Sequence, residues 1–174
     1  MMRAEDVVAV LDCLERAGVP VWIDGGWGID ALLGAQHRPH DDLDLVVPRD
    51  QATAAREALA VLGFAPHLDE WPTRFVLRAP DDRRIDFHPV TFGADGAATQ
   101  ELHDGRLAPY PAEGFTGRGT VGGRPVRCLS AAAQVLHHQG YEPQAKDHHD
   151  LRLLREFRGT KGEGRGARGV KRET

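Results

Sequence analysis

Two aspartates separated by one residue, Asp42 and Asp44 in the run HDDLDLVV, are the sharpest chemical feature of the chain. A β-strand alternates its faces with period two, so a strand here sets both carboxylates on one face and Leu43, Leu45 and Val47 on the other. Carboxylates about 4 Å apart repel by about 4 kcal/mol at an effective dielectric of 20, so such a pair calls for water or a cation. Magnesium suits it: the ion takes hard oxygen ligands, keeps several waters and is commonly completed by substrate phosphates.

A third carboxylate, Asp86, alternates with Ile85 and Phe87 in RIDFHPV, and His88 follows on its face. With that strand beside the Asp42 strand, Asp86 completes a triad of the kind that holds two magnesium ions. One ion would position an attacking hydroxyl and the other a triphosphate; Asp86 is the candidate base or bridging ligand. Upstream, WIDGGWGID puts Gly25 and Gly26 between a strand end and a helix start, where backbone N–H groups can approach an anion. Arg38 could pair with a phosphate oxygen.

Each piece alone has an ordinary reading. An isolated Asp-x-Asp commonly marks a wet strand edge, and an isolated Gly-Gly a turn. An EF-hand loop is excluded, because counting from Asp42 puts Val47 where glycine is needed and Thr53 where glutamate is needed. His137-His138 and His148-His149-Asp150 lack the spacing of a zinc site. Trp22 and Trp71 read as core or pocket wall. What carries weight is the order: Gly-Gly after the first strand, the carboxylate pair opening the next, one Asp on a later strand.

The elements that must position these groups follow from pattern. Val7, Val8, Val10, Leu11 and Leu14 predict a helix stopped by Gly18. Val19 to Asp24 reads as a strand, Trp27 to Leu33 as a helix ended by Gly34, and Asp42 to Val47 as a strand closed by Pro48. Asp50 is the expected N-cap of a helix over Gln51 to Leu62. Arg74 to Arg78 and Arg84 to Thr91 predict a hairpin turned by Pro80-Asp81-Asp82, and Val121 and Val126 flank a second at Gly122-Gly123. Helices are expected from Ser130 to about Gln139 and from Ala145 to Phe157. Strands and helices that do not strictly alternate predict an α+β fold with a mixed sheet.

The 174 residues, 41% hydrophobic, suit one domain over 1–158, with a core to about 108 and a C-terminal hairpin and helices over 109–158. Residues 159–174, glycine-rich and charged, read as a disordered tail. That tail contributes +3 to a net charge of −4, leaving −7 on the body. Such a charge offers no footprint for nucleic acid. No stretch suggests a secretory signal or membrane span, so a cytoplasmic protein is expected. Cys13 and Cys128 read as reduced, packed thiols.

The run IDGGWGIDALLGAQHRPHDDLDLVV closely resembles the antibiotic nucleotidyltransferases of the aminoglycoside 2''-adenylyltransferase and lincosamide nucleotidyltransferase type, within the DNA polymerase β-like superfamily. RIDFHPV resembles that family's third-carboxylate strand, and GRPVRCLSAAAQVLHHQGYEPQAKDHHDLRLL its C-terminal helical portion. The resemblance implies a polymerase β-like fold, with Asp42, Asp44 and Asp86 as metal ligands and Asp86 as base. It makes Gly25 and Gly26 the triphosphate loop; the wider superfamily often has serine at the second position, whereas Trp27 follows Gly26 here as in the antibiotic-modifying branch. Trp27, Asp30 and Arg38 also occupy motif positions and join the two glycines as nucleotide-binding candidates, and His88, Tyr141, Glu142 and Lys146 are candidate substrate contacts. The implied reaction moves a nucleoside monophosphate, AMP from ATP, onto a hydroxyl of an aminoglycoside or lincosamide. A monomer and a homodimer both stay open, a chain this short being able to leave the acceptor side of the cleft open. Modification of a protein, as by an antitoxin-type enzyme, and a non-catalytic nucleotide-binding module are the competing readings.

Overall fold

In a computed structural model, described for residues 1–137 and 145–163 with the side chains of 145–147 and 158–163 excepted, one mixed sheet organises the chain. Its strands are β1 (Trp22–Asp24), β2 (Asp42–Pro48), β3 (Ala65–Glu70), β4 (Arg74–Arg78), β5 (Arg84–Phe92), β6 (Ala98–Glu101), β7 (Leu107–Tyr110), β8 (Gly117–Val121) and β9 (Arg124–Cys128). Helices α1 (Ala4–Arg16), α2 (Gly25–Leu33), α3 (Ala52–Ala60), α4 (Ala131–His137) and α5 (Ala145–Glu163) complete it. The strand order is β3-β4-β5-β2-β1-β9-β8, and β6 and β7 continue from β5 as a meander. β2 runs parallel to β5, and β1 parallel to β9; β1 and β2 are antiparallel.

Period two sorts the two faces. Ile23, Leu43, Leu45, Val47, Phe75, Leu77, Ile85 and Phe87 share the main core with Val7, Val10 and Leu14 of α1 and Ala55 and Leu59 of α3. Phe75 and Phe87 stack at 4.7 Å across β4 and β5. Val46, Val90 and Leu129 face the other way, into a smaller cluster with Tyr110, Phe115 and Ala133. The polar residues of interest share that second face.

The expected elements are present with several corrections. β1 begins at Trp22 rather than Val19, and α2 begins at Gly25 because Asp24 caps it, its carboxylate accepting from the Gly25 N–H at 2.8 Å. Asp50 lies within a 3₁₀ turn over Arg49–Gln51, so Gln51 rather than Asp50 precedes α3. β3, β6 and β7 were not anticipated. α5 extends past Phe157 to Glu163, so 159–163 are helical where a disordered tail was expected; extending a helix costs far less than nucleating one. The rest of that tail, 164–174, lies outside the described residues. No described helix is long and apolar enough to cross a membrane.

Both cysteines are buried, as expected; Cys13 Sγ donates to the Ala58 carbonyl at 3.1 Å, tying α1 to α3. Burial pushes the Cys128 thiol up to about 12. Because its folded value lies above an unfolded value of about 8.5, the stabilisation is intact below that pH and is lost as pH climbs towards 12. Chemical denaturation across that range should show a shallower alkaline decline for Cys128→Ala than for the wild type; parallel curves would exclude a Cys128 contribution.

Candidate active site

Strand register builds the site. Asp24 of β1 pairs with Asp44 of β2, and Asp44 with Asp86 of β5, so three carboxylates form one row across three neighbouring strands. Adjacent strands are about 4.8 Å apart, so the row concentrates negative charge that each member must offset.

Each of the three has a nitrogen partner. Arg74 Nη1 donates to Asp86 Oδ2 at 2.7 Å, and Arg74 Nε to Glu70 at 2.5 Å. His137 Nδ1 lies 2.9 Å from Asp24 Oδ2, and His88 Nε2 lies 3.5 Å from Asp44 Oδ1. Burial acts against ionised Asp24, yet the His137 hydrogen bond and charge hold it below the ordinary carboxylate range. Asp86 moves the other way, raised chiefly by burial and further by Asp44. Burial acts to lower His88, but the Asp44 hydrogen bond and the three carboxylates push it up to about 9. The region thus favours positive charge.

Asp44, Asp86 and His88 each offer a ligand atom within 4.8 Å of the others. Asp86 Oδ1 is buried and has no hydrogen-bond partner among the described residues. An orphaned carboxylate oxygen is costly unless a donor or cation meets it, so the donor set fits a hard divalent cation. Asp42 shares the face of Asp44 but is exposed, pairs in register with Arg84, and stands outside that cluster.

The glycines adjoin this row. Gly25 has φ +59°, and a Cβ there would lie 2.3 Å from Asp44 Oδ2; a Cβ on Gly26 would lie 2.3 Å from His40 Nδ1 and 2.6 Å from Arg38 Nη2. The start of α2 is therefore pressed against the carboxylates with no room for a side chain. Arg38 stands beside Gly26, its Nε and Nη2 donating to Asp150 of α5 at 3.0 and 2.6 Å. Trp27 is buried, its ring 4.8 Å from that of His40, so only its backbone belongs to the loop.

Asp30 is buried behind the loop: one oxygen takes the His37 backbone N–H at 3.1 Å, and the other lies 2.5 Å from His40 Nε2. Its geometry is that of a brace. Leaving a buried polar group without its hydrogen-bond partner typically costs about 1–3 kcal/mol. Asp30→Asn should accordingly lower the urea midpoint by that equivalent, with nucleotide affinity changed by less than about threefold. A large affinity loss at unchanged stability would make Asp30 a nucleotide contact.

Sequence reasoning placed Asp44, Asp86 and His88 on one face, and the structure brings them together. It missed Asp24 and Arg74, and it weighed His137 and Asp150 only as zinc ligands. Asp24 was legible in principle, being the last strand residue before Gly-Gly and hence on a predictable face. Tyr141 and Glu142 lie outside the described residues, as does the side chain of Lys146. Gln100, also unanticipated, donates to the Thr73 carbonyl at 2.7 Å, lies 3.5 Å from His88 Nδ1 and accepts from the Tyr110 hydroxyl at 3.0 Å.

The model of the aminoglycoside-2''-adenylyltransferase family matches residues 6–154. A lincosamide resistance protein of Staphylococcus haemolyticus is 30% identical over 87% of this chain and 93% of its own. A 2''-aminoglycoside nucleotidyltransferase of Escherichia coli is 32% identical over 72% of this chain and 67% of its own. Among solved structures, the lincosamide antibiotic adenylyltransferase LnuA with lincomycin bound superposes with a TM-score of 0.79 at 29% identity, over 88% of this chain and 96% of that one. The structure of ANT(2'')-Ia with adenylyl-2''-tobramycin superposes at 0.73 and 24% identity, over 91% of each chain, a likeness of fold. The fold is the α+β nucleotidyltransferase fold expected from the sequence, and the chain belongs to the aminoglycoside-2''-adenylyltransferase family of nucleotidyltransferases.

Proposed function

We propose that this enzyme moves AMP from ATP onto a hydroxyl of a small antibiotic of the aminoglycoside or lincosamide class, using Asp42, Asp44 and Asp86 around two magnesium ions. The observation that carries the reading is the Asp44–Asp86 register pair with its orphaned Asp86 oxygen, set directly against the Gly25–Gly26 helix start. Magnesium, when bound there, neutralises phosphate charge and makes the acceptor hydroxyl more acidic.

The protein's own groups have separable tasks. Asp44 and Asp86 supply ligand oxygens, and Asp42 at the exposed mouth of β2 supplies another. The Gly25–Gly26 backbone and Arg38 hold the triphosphate at the start of α2, where the helix dipole favours an anion. Asp86 accepts the proton of the attacking hydroxyl; burial raises its proton affinity, which suits a base. Arg74 fixes the orientation of Asp86. His88 lines the site beside Asp44, and Asp30 braces the loop.

Asp86→Asn separates these roles. Pyrophosphate release with magnesium, ATP and an antibiotic panel should show kcat lowered by about a hundredfold or more, with the KM for ATP changed by less than about threefold. A loss confined to KM would make Asp86 a binding residue instead. Chelation by EDTA should abolish wild-type turnover, and magnesium should restore it.

A further inference from the structure

We infer that the acceptor enters across β5 and packs against Trp71, and that it is a ring-bearing alcohol of low positive charge rather than a polyamine. This rests on the nucleotidyl-transfer reading above and specifies its second substrate.

The direction follows from strand order. In phosphoryl transfer the attacking and leaving oxygens lie roughly in line on opposite sides of phosphorus. The triphosphate loop is at the end of β1, and Asp86 is two strands away on β5, with Asp44 between them. Pyrophosphate leaves towards Gly25–Gly26, so the hydroxyl arrives from the Asp86 side. Beyond β5 in that direction lies β4, and the turn joining β3 to β4 carries Trp71.

That turn is held against the site. Arg74, at its end, donates to Asp86, and the Thr73 carbonyl accepts from Gln100, which also reaches His88. Trp71 is 45% exposed, a large fraction for so apolar a side chain, and the Arg49 guanidinium sits 5.3 Å from its ring centroid. A rigid exposed aromatic of this kind gives a sugar or other ring a flat surface at little conformational cost.

Charge then selects the acceptor. A polyamine needs carboxylates that are not already matched. Around this turn Glu70 is held by Arg74 at 2.5 Å, Asp69 by Arg56 at 3.0 Å and Glu101 by Arg49 at 2.7 Å. Each of the three acids is met by an arginine, Arg74 being shared with Asp86, so a polycation entering here would have to displace guanidinium groups. A weakly charged ring compound meets no such opposition.

The test is equilibrium binding, by calorimetry with magnesium and a non-hydrolysable ATP analogue, of lincomycin and tobramycin to the wild type, Trp71→Ala and Trp71→Phe. Lincomycin should bind the wild type at least about tenfold more tightly than tobramycin; Trp71→Ala should weaken it by roughly tenfold, and Trp71→Phe should recover most of the loss. Tighter binding of tobramycin, or lincomycin affinity indifferent to Trp71, overturns the inference. Pyrophosphate release run in parallel keeps the two readings apart. Trp71-dependent lincomycin binding without turnover supports the acceptor surface and removes the transfer reaction, whereas turnover indifferent to Trp71 removes the acceptor surface alone.

Discussion

Replacing Asp44 by asparagine is expected to lower turnover by about a thousandfold while changing folding stability by less than about 1 kcal/mol. Asp44 is the middle carboxylate of the row, between Asp24 and Asp86. At about 5 Å and an effective dielectric of 20, each neighbour repels it by about 3 kcal/mol, so its removal relieves repulsion. The variant also gives up the attraction of His88, 3.5 Å away. These effects oppose one another, and the side chain is partly exposed, which screens both. Function has no such offset, because an amide oxygen is a poorer ligand for a hard divalent ion than a carboxylate. Thermal melts with and without magnesium and ATP check the pair of expectations. The wild type should gain stability on adding both, by mass action on the folded state, and Asp44→Asn should gain much less. A variant that melts far earlier in buffer alone would mean that Asp44 is structural.

Gly26→Ser is expected to damage the enzyme, although serine is the residue often found at this position in the wider superfamily. A Cβ would fall 2.3 and 2.4 Å from two atoms of the His40 ring and 2.6 Å from Arg38 Nη2. His40 cannot easily retreat: its other ring nitrogen is 2.5 Å from Asp30, and its ring packs on Trp27. Forcing a side chain into such a space costs about 1–3 kcal/mol, and it displaces the backbone meant for the phosphates. Turnover should fall at least about a hundredfold, with a stability loss of that size in denaturant titration. Unimpaired activity in Gly26→Ser would show that the loop has room for a hydroxyl and that the His40–Arg38 wall is soft.

How much of this could be read from the sequence depended on whether a feature was local. The alternation in DLDLVV and RIDFHPV put Asp44 and Asp86 on predictable faces, and the structure places them opposite each other. The α+β class followed from element order. β3 escaped because its sequence, APHLDE, contains a proline and is largely exposed, so it shows no alternation to detect. β6 and β7 are four residues each and similarly unpatterned. The carboxylate partners were harder still, since Arg38 and Asp150 are 112 residues apart and Asp24 and His137 are 113 apart. Their meeting is decided by how the C-terminal helices dock. Asp50 was misjudged as a cap because a 3₁₀ turn took up the chain before α3. Trp71 was read as core or pocket wall, and its 45% exposure excludes the core.

The central claim is that Asp44 and Asp86 share divalent ions beside the triphosphate loop. Crystals grown with manganese in place of magnesium and a non-hydrolysable ATP analogue test it through the metal's anomalous scattering. An anomalous peak about 2.1 Å from carboxylate oxygens of both residues, with the triphosphate over Gly25–Gly26, is the predicted result. Nucleotide bound without such a peak, with Asp86 still held by Arg74 alone, would contradict the account.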